Sequence, residues 1–328
     1  MTKITYFEND YQVKLAPFKV EAAAVDQPVP DNVWVTGAPI LWKQNLQGTG
    51  CKVGVIDSGI DDKHPDLAGK VLFRRDYVND GKPPGQFNVH GTHVAGTICA
   101  NGSIKGVAPL ASVIDYRVLN TTGSGSYEHI IKAINDSVTD GCNIINMSLG
   151  GAYNYAPMET AIKNAVAKNV LVVVAAGNEG PGKISYPAYY QDVVGVGAVN
   201  FDRVTGNVNL PQTPWFSNSN NQVDVCADGY RVFSTLPNGT YGYLSGTSMA
   251  SPCVAGFAAL LWEEYNKKLS KTPSEDELYS ILKNTTVDVL TVGNDFVAGA
   301  GFVTAYPEVP RKNSTGQWTL PNMVTGQP

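Results

Sequence analysis

From Lys52 onward the chain alternates between two kinds of pattern. Apolar runs of strand length are each followed by a stretch whose apolar residues recur every three or four positions, the period of a helix packed along one side. The runs predict strands over Lys52 to Asp57, Val113 to Leu119, Asn143 to Leu149, Val170 to Ala175 and Val193 to Val199. Helical patterns fall at about Asn88 to Ala100, Ser126 to Asp140 and Pro157 to Lys168. Val170 through Val174 is apolar at every position, which suits a strand buried on both faces under covering helices. The pattern therefore predicts an α/β fold, a doubly wound, mostly parallel sheet with helices on both faces. In such sheets functional groups gather at the carboxyl ends of the strands.

The two ends of the chain read differently from the middle. Tyr11 to Phe18 suits a short extended segment, and Pro28 and Pro30 then discourage regular structure, so residues 1–33 read as an arm on a globular body. The body spans residues 34–306, and residues 307–328, polar with several prolines, read as a surface tail. With 328 residues, 43% of them hydrophobic and 16% charged, the chain can bury a large core. A net charge of −5 without a Lys/Arg cluster gives no footprint for nucleic acid. No apolar run reaches the roughly 18 residues of a membrane span. Met1 to Asp10 is polar and lacks the basic start, apolar middle and cleavage site of a secretory signal, so a cytoplasmic protein is expected. The five cysteines (Cys51, Cys99, Cys142, Cys226, Cys253) are odd in number and have no metal-ligand spacing, as in a reduced, buried set.

Candidate chemistry lies where the strands end. Asp57 closes the first strand, and His90 opens the helical pattern of residues 88–100 with His93 one turn further in. Asn178 follows the Val170 to Ala175 strand, and Ser248 stands in Gly246-Thr247-Ser248-Met249 at the mouth of an apolar helix running through Val254 to Trp262. Singly, each has an ordinary explanation as a cap or a turn residue, and the two histidines lack the further ligands a metal pair would need. Together they make the inventory of acyl transfer. A serine hydroxyl needs a base to take its proton, the imidazole needs a carboxylate to hold one tautomer, and the oxyanion needs donors. Two other classes remain open: a peptide-binding scaffold of the same fold without activity, and a nucleotide-binding protein suggested by Gly195-Val196-Gly197 and Gly123-Ser124-Gly125, neither of which completes a dinucleotide fingerprint.

The three stretches Asp57-Ser58-Gly59, His90-Gly91-Thr92-His93-Val94-Ala95-Gly96 and Gly246-Thr247-Ser248-Met249-Ala250-Ser251-Pro252, in this order, resemble the signatures of subtilisin-like serine proteases. The likeness runs from about Val33 to Tyr306 and is closest to the intracellular subtilisins. It implies a serine endopeptidase acting on peptides and proteins through an acyl-enzyme, with Asp57 as orienting acid, His90 as base and then acid, Ser248 as nucleophile and Asn178 as oxyanion donor. Met249 would lie beside the nucleophile, where its oxidation should impair turnover. By the same resemblance Ser148, Leu149 and Gly150 form one wall of the first substrate pocket, Ala175, Ala176 and Gly177 the other, and Ser185 its floor. Gly123, Ser124, Gly125 and Tyr127 bind the substrate farther up. No charge is evident at the pocket's base, so broad specificity with apolar or large P1 residues is expected.

The resemblance also gives the arm a role. Leu15-Ala16-Pro17-Phe18 is similar to the element by which the extension of intracellular subtilisins lies across the active site in an inactive precursor, so removal of roughly the first twenty residues is expected to activate the enzyme. The chain's own extension thus joins peptide substrates as a partner, and a homodimer is compatible with this reading. Departures are visible as well. The segment between Thr97 and Gly106 is shorter than the family's tight calcium loop, although Asp66 is present. A weaker, structural Ca²⁺ or Na⁺ site is expected from the carbonyls of Ala188, Tyr190 and Val193 with Asp224. Cys253 stands where the family usually has histidine, and Phe201 to Pro214 reads as a surface loop insertion.

Overall fold

The Val-rich runs form strands because β-branched side chains fit a pleated surface covered on both sides. In the computed structural model, which describes residues 12–201, 211–308, 311–312 and 318–319, they build a nine-stranded sheet. Its order is Thr286–Val287, Phe302–Val303, Val225–Asp228, Val194–Val199, Leu171–Ala175, Ile144–Met147, Lys52–Asp57, Ser112–Arg117 and Val71–Asp76. Every neighbouring pair is parallel except the first.

Alternation along each strand sorts side chains into two cores. Val53, Ile144, Leu171 and Val173 face one core with Val94, Ile98, Val254 and Phe257 of the Val89–Cys99 and Thr247–Leu269 helices. Ile56, Ile145, Val172 and Val174 face the other with Ile130, Ile134, Met158 and Ile162 of the Tyr127–Thr139 and Ala156–Val166 helices. The sheet is thus doubly wound, as the pattern predicts. Lys52–Asp57 keeps its predicted bounds, and the other predicted strands and the helices read over 88–100, 126–140 and 157–168 differ by one or two residues at an end. The helix after Ser248 runs on to Leu269, seven residues past Trp262, and the strands Val71–Asp76, Val225–Asp228, Thr286–Val287 and Phe302–Val303 and the helix Glu275–Asn284 are elements the sequence reading did not include.

Two departures concern the smaller parts. Residues 232–244 form a hairpin, Val232–Leu236 with Thr240–Leu244, that the alternation does not reveal, and Glu21–Ala22 adds to it as a third strand. The arm is therefore not one piece. Gln12–Lys14 pairs antiparallel with Ser124–Ser126, whereas residues 21–33 are built into the body, with Asn32 and Val33 buried. The loop insertion read over Phe201 to Pro214 lies mostly outside the described residues, as does most of the tail after residue 308. Among the described residues no helix is long and apolar enough to cross a membrane.

Candidate active site

The parallel strands deliver their ends to one edge, and four of the singled-out side chains converge there. Asp57 closes its strand with no exposure, and its two carboxylate oxygens lie 2.9 and 3.0 Å from Nδ1 of His90. His90 sits in the first turn of the Val89–Cys99 helix, whose N-cap Asn88 accepts the His90 backbone N–H at 3.1 Å. A carboxylate on Nδ1 leaves Nε2 as the free nitrogen of the ring.

Ser248 lies in the first turn of the Thr247–Leu269 helix, where N–H groups have no partner within the helix. Its hydroxyl donates to the Ser148 carbonyl at 3.2 Å, and the Ser148 hydroxyl donates to the Ser248 carbonyl at 2.9 Å. Among the described residues no hydrogen bond joins Ser248 to His90. Ser148 is fixed in turn by Asn146, whose carboxamide also accepts from the Ser251 hydroxyl at 2.8 Å.

Asn178 is oriented by a residue the sequence reading passed over. Thr247 donates to the Asn178 side-chain oxygen from its backbone N–H at 2.8 Å and from its hydroxyl at 3.0 Å, and the same hydroxyl accepts the Gly177 N–H at 3.1 Å. With its oxygen engaged, the Asn178 amide is left to present its N–H₂ to the cleft. The only sequence signal for Thr247 was its place beside Ser248.

The pocket residues come together largely as expected. Ser148, Leu149, Gly150, Ala175, Gly177, Asn178, Ser185 and Ser248 line one narrow cavity, with Ala176 buried behind it. A side chain at Gly150 would come within 2.3 Å of the Ser185 hydroxyl, so that wall must be bare. One correction follows. Glu179 also lines the cavity, so the pocket is not free of charge; its carboxylate accepts from the Asn218 side-chain amide at 2.6 Å, a partner 39 positions away.

The cleft is occupied by the chain itself. Leu15 N–H donates to Gly123 O at 2.9 Å and Lys14 N–H to Gly150 O at 3.2 Å, so the arm is held by main-chain bonds from both walls. Val13 is fully buried among Tyr127, Ile130 and Leu149. Ala16 lines the same cavity as Ser248, and Ala16, Pro17 and Phe18 line a second cavity with Asn178 and Phe216. The Phe18 ring lies 5.5 Å from the His90 ring.

Other candidates fall away from the site. His93 is buried with Nε2 3.0 Å from the Val232 carbonyl, and burial pulls its pKa down to about 3, so it is a neutral packing residue rather than a metal partner of His90. Cys253 is buried against the Asn32 amide, and burial raises its thiol well above the usual range, which makes it unreactive. Met249, next to Ser248 in the same helix, is buried at 1% exposure. The cation sites do not fit their residues. The Asp224 carboxylate already accepts from Gly195 N–H at 2.9 Å, Tyr279 hydroxyl at 2.6 Å and the Lys283 ammonium at 3.3 Å, so a protein cation already pairs with the carboxylate expected to join Ala188, Tyr190 and Val193 in holding Ca²⁺ or Na⁺. Asp66 likewise accepts the N–H groups of Ser103 and Ile104, at 2.8 and 2.9 Å. Among the described residues no cluster of three or more His, Cys, Asp or Glu side chains could hold a metal.

Residues 48–301 match the profile of the Subtilase family. The chain is 39% identical to the major intracellular serine protease of Bacillus subtilis (strain 168), over 92% of this chain and 96% of that protein. It is also 39% identical to an intracellular serine protease of Paenibacillus polymyxa, over 92% and 93% of the two chains. It is 41% identical to subtilisin E of Bacillus subtilis (strain 168), over 84% of this chain and 70% of the other.

Proposed function

The chain belongs to the subtilase family and is a serine endopeptidase, and from that premise we propose which groups run the reaction and what restrains it. Ser248 is the nucleophile. His90 Nε2 takes its proton as the hydroxyl attacks the substrate carbonyl, while Asp57 holds the tautomer through Nδ1 and stabilises the imidazolium. The oxyanion of the tetrahedral intermediate is met by the Asn178 amide N–H and the Ser248 backbone N–H at the positive end of its helix. His90 then returns the proton to the leaving amine, and water repeats the sequence on the acyl-enzyme. The observation that carries this reading is the hydrogen bond His90 Nδ1 donates to Asp57, with Ser248 and Asn178 lining one cavity together.

The substrate is an extended peptide gripped by its main chain between Gly123-Ser124-Gly125 and Ser148-Leu149-Gly150, which supports broad specificity. The apolar walls favour an apolar P1 side chain, with the Glu179 carboxylate at hand for a basic one. The extension takes that place before activation. Leu15, Ala16, Pro17 and Phe18 run through the cleft, with Ala16 beside Ser248, Pro17 next in line and Phe18 against His90. Proline without an N–H and with fixed φ keeps a peptide bond here out of attack geometry. The turning of the Ser248 hydroxyl toward Ser148 supports a resting state. The relatives described as intracellular, together with five buried cysteines that form no disulfide, support action inside the cell.

Mass spectrometry of wild type beside Ser248→Ala after incubation tests both parts. The expected result is an N-terminus trimmed near residue 20 only in the wild type, with a serine-directed sulfonyl fluoride labelling Ser248 and abolishing casein hydrolysis. Trimming in both proteins would remove self-processing, and casein hydrolysis by Ser248→Ala would remove the nucleophile.

A further inference from the structure

Behind the Asp57–His90 pair lies a buried charged assembly that the reaction itself does not use. Arg117 closes the strand beside Asp57, and the two residues are direct register partners in the sheet. Asp76 is the register partner on the other side. The Arg117 side chain is fully buried although it carries a full charge, a costly arrangement that its two terminal nitrogens offset through ion pairs while Nε has no hydrogen-bond partner among the described residues. Its guanidinium grips both oxygens of Asp80, at 2.8 Å each, and donates to Asp76 at 2.9 Å. Those two carboxylates also collect backbone N–H groups of Val78, Asn79 and Lys82, so they order the turn that leads to Phe87. The guanidinium carbon lies 4.1 Å from the centre of the Phe87 ring, and that of Arg74 lies 5.0 Å from it.

Phe87 immediately precedes Asn88, the cap of the helix that carries His90. It also presses on the turn after Asp57. A side chain at Gly59, which has φ of +96°, would come within 2.4 Å of the Phe87 ring and 2.9 Å of the Arg117 side chain. The same turn is tied to the helix start by Ser58, whose hydroxyl accepts Gly91 N–H at 3.0 Å and donates to Asn88 O at 3.2 Å. The Asp57 carbonyl accepts from Val118 and Leu119, the two residues after Arg117. Asp57 and His90 therefore sit on two segments clasped by one stack.

We propose that Arg117, stacked on Phe87 and forked onto Asp80, is a positioning residue that sets the geometry between Asp57 and His90. Two carboxylates more than neutralise its charge, so it acts through shape rather than through a positive field on Asp57. Arg74, also over the Phe87 ring, is held by pairing with buried Asp115 at 2.5 Å. The inference rests on the proposed roles of Asp57, His90 and Ser248.

The test compares full-length wild type, Arg117→Met, Arg117→Lys and Asp80→Asn, with rates referred to the serine titrated by sulfonyl fluoride. Displacement of the pair by a fraction of an ångström should lower kcat about tenfold in both Arg117 variants, with KM within about twofold. Lysine should not rescue, because it keeps the charge and loses the planar fork. A looser Asp57–His90 contact stabilises the imidazolium less, so the acid limb of the kcat/KM profile should move to lower pH. Asp80→Asn, on a partly exposed turn, should show the same changes at smaller size, and it decides the matter if the Arg117 variants do not fold. Wild-type kcat and an unmoved acid limb per titrated serine, whatever happens to the melting temperature, would overturn the proposal. Ser248→Ala run alongside keeps the premise separate: activity in that variant defeats the assignment of the nucleophile, not the role of Arg117.

Discussion

Residues 12–18 and 21–33 are neighbours in sequence, and they attach to the body in opposite ways. The first segment lies in the cleft through main-chain bonds and one deeply buried side chain, Val13. The second supplies a strand to the hairpin, packs Ala23 and Val25 against Phe233 and its neighbours, lends the Pro28 carbonyl to Lys105 N–H, and sends Val33 into the main core. Asn32 even reaches Cys253 in the helix that carries Ser248. Between the two, the Lys19 side chain is 84% exposed and Val20 is 40% exposed. The difference leads to the expectation that a segment bound like a substrate leaves without disturbing the fold, whereas one that shares the core does not.

The hardest test of this contrast is deletion of residues 1–33. It removes a strand and core side chains, so no cooperatively folded protein is expected by calorimetry; a folded, active product would erase the distinction. Deletion of residues 1–18 should instead leave the melting temperature within a few degrees while raising hydrolysis of a short peptide about 10²-fold, since a tethered segment competes at roughly millimolar effective concentration. Acid should separate the two next. His93, neutral in the fold with a pKa of about 3 against roughly 6.5 unfolded, binds more protons when unfolded, so stability is full above about pH 6.5 and is lost as pH falls toward 3. Its share at pH 5 is a loss of about 2 kcal/mol from the body, measurable by denaturant unfolding and absent in a His93→Gln variant that folds. Phe18→Ala should weaken the docking of the first segment by about 1 kcal/mol, seen as a severalfold rise in uncleaved activity with unchanged stability. Smallest of all, Glu21→Gln breaks a surface ion pair with Arg231 and should cost under about 1 kcal/mol of stability with no change in rate.

Much of this molecule is legible along the chain because its chemistry is local. Val170 to Val174 announces a doubly covered strand, and Asp57, His90, Asn178 and Ser248 each stand where a strand ends or a helix begins. What escaped depends on partners brought in from afar. Arg117 reads as one more strand residue until Asp76 and Asp80 are folded beside it. Glu179 reads as a turn residue until the cavity wall closes around it. Lys283 lies 59 positions from Asp224, and no spacing rule links an ammonium on a late helix to a carboxylate before a strand. The hairpin had a signal that went unused: Asn238-Gly239 between two short apolar runs is a turn dipeptide. The split of the arm had none, because Glu21–Ala22 is too short and too polar to declare itself a strand.

The order in which a ribosome makes this chain gives the docked arm a further meaning. Ala16 and Pro17 emerge first, yet the backbone that receives them, Gly123 and Gly150, is synthesised more than a hundred residues later, and Ser248 later still. During translation the segment and its seat therefore both exist before the Ser248 hydroxyl, so under the proposed inhibition the nascent protease would meet its restraint before it could attack its own unfinished neighbours.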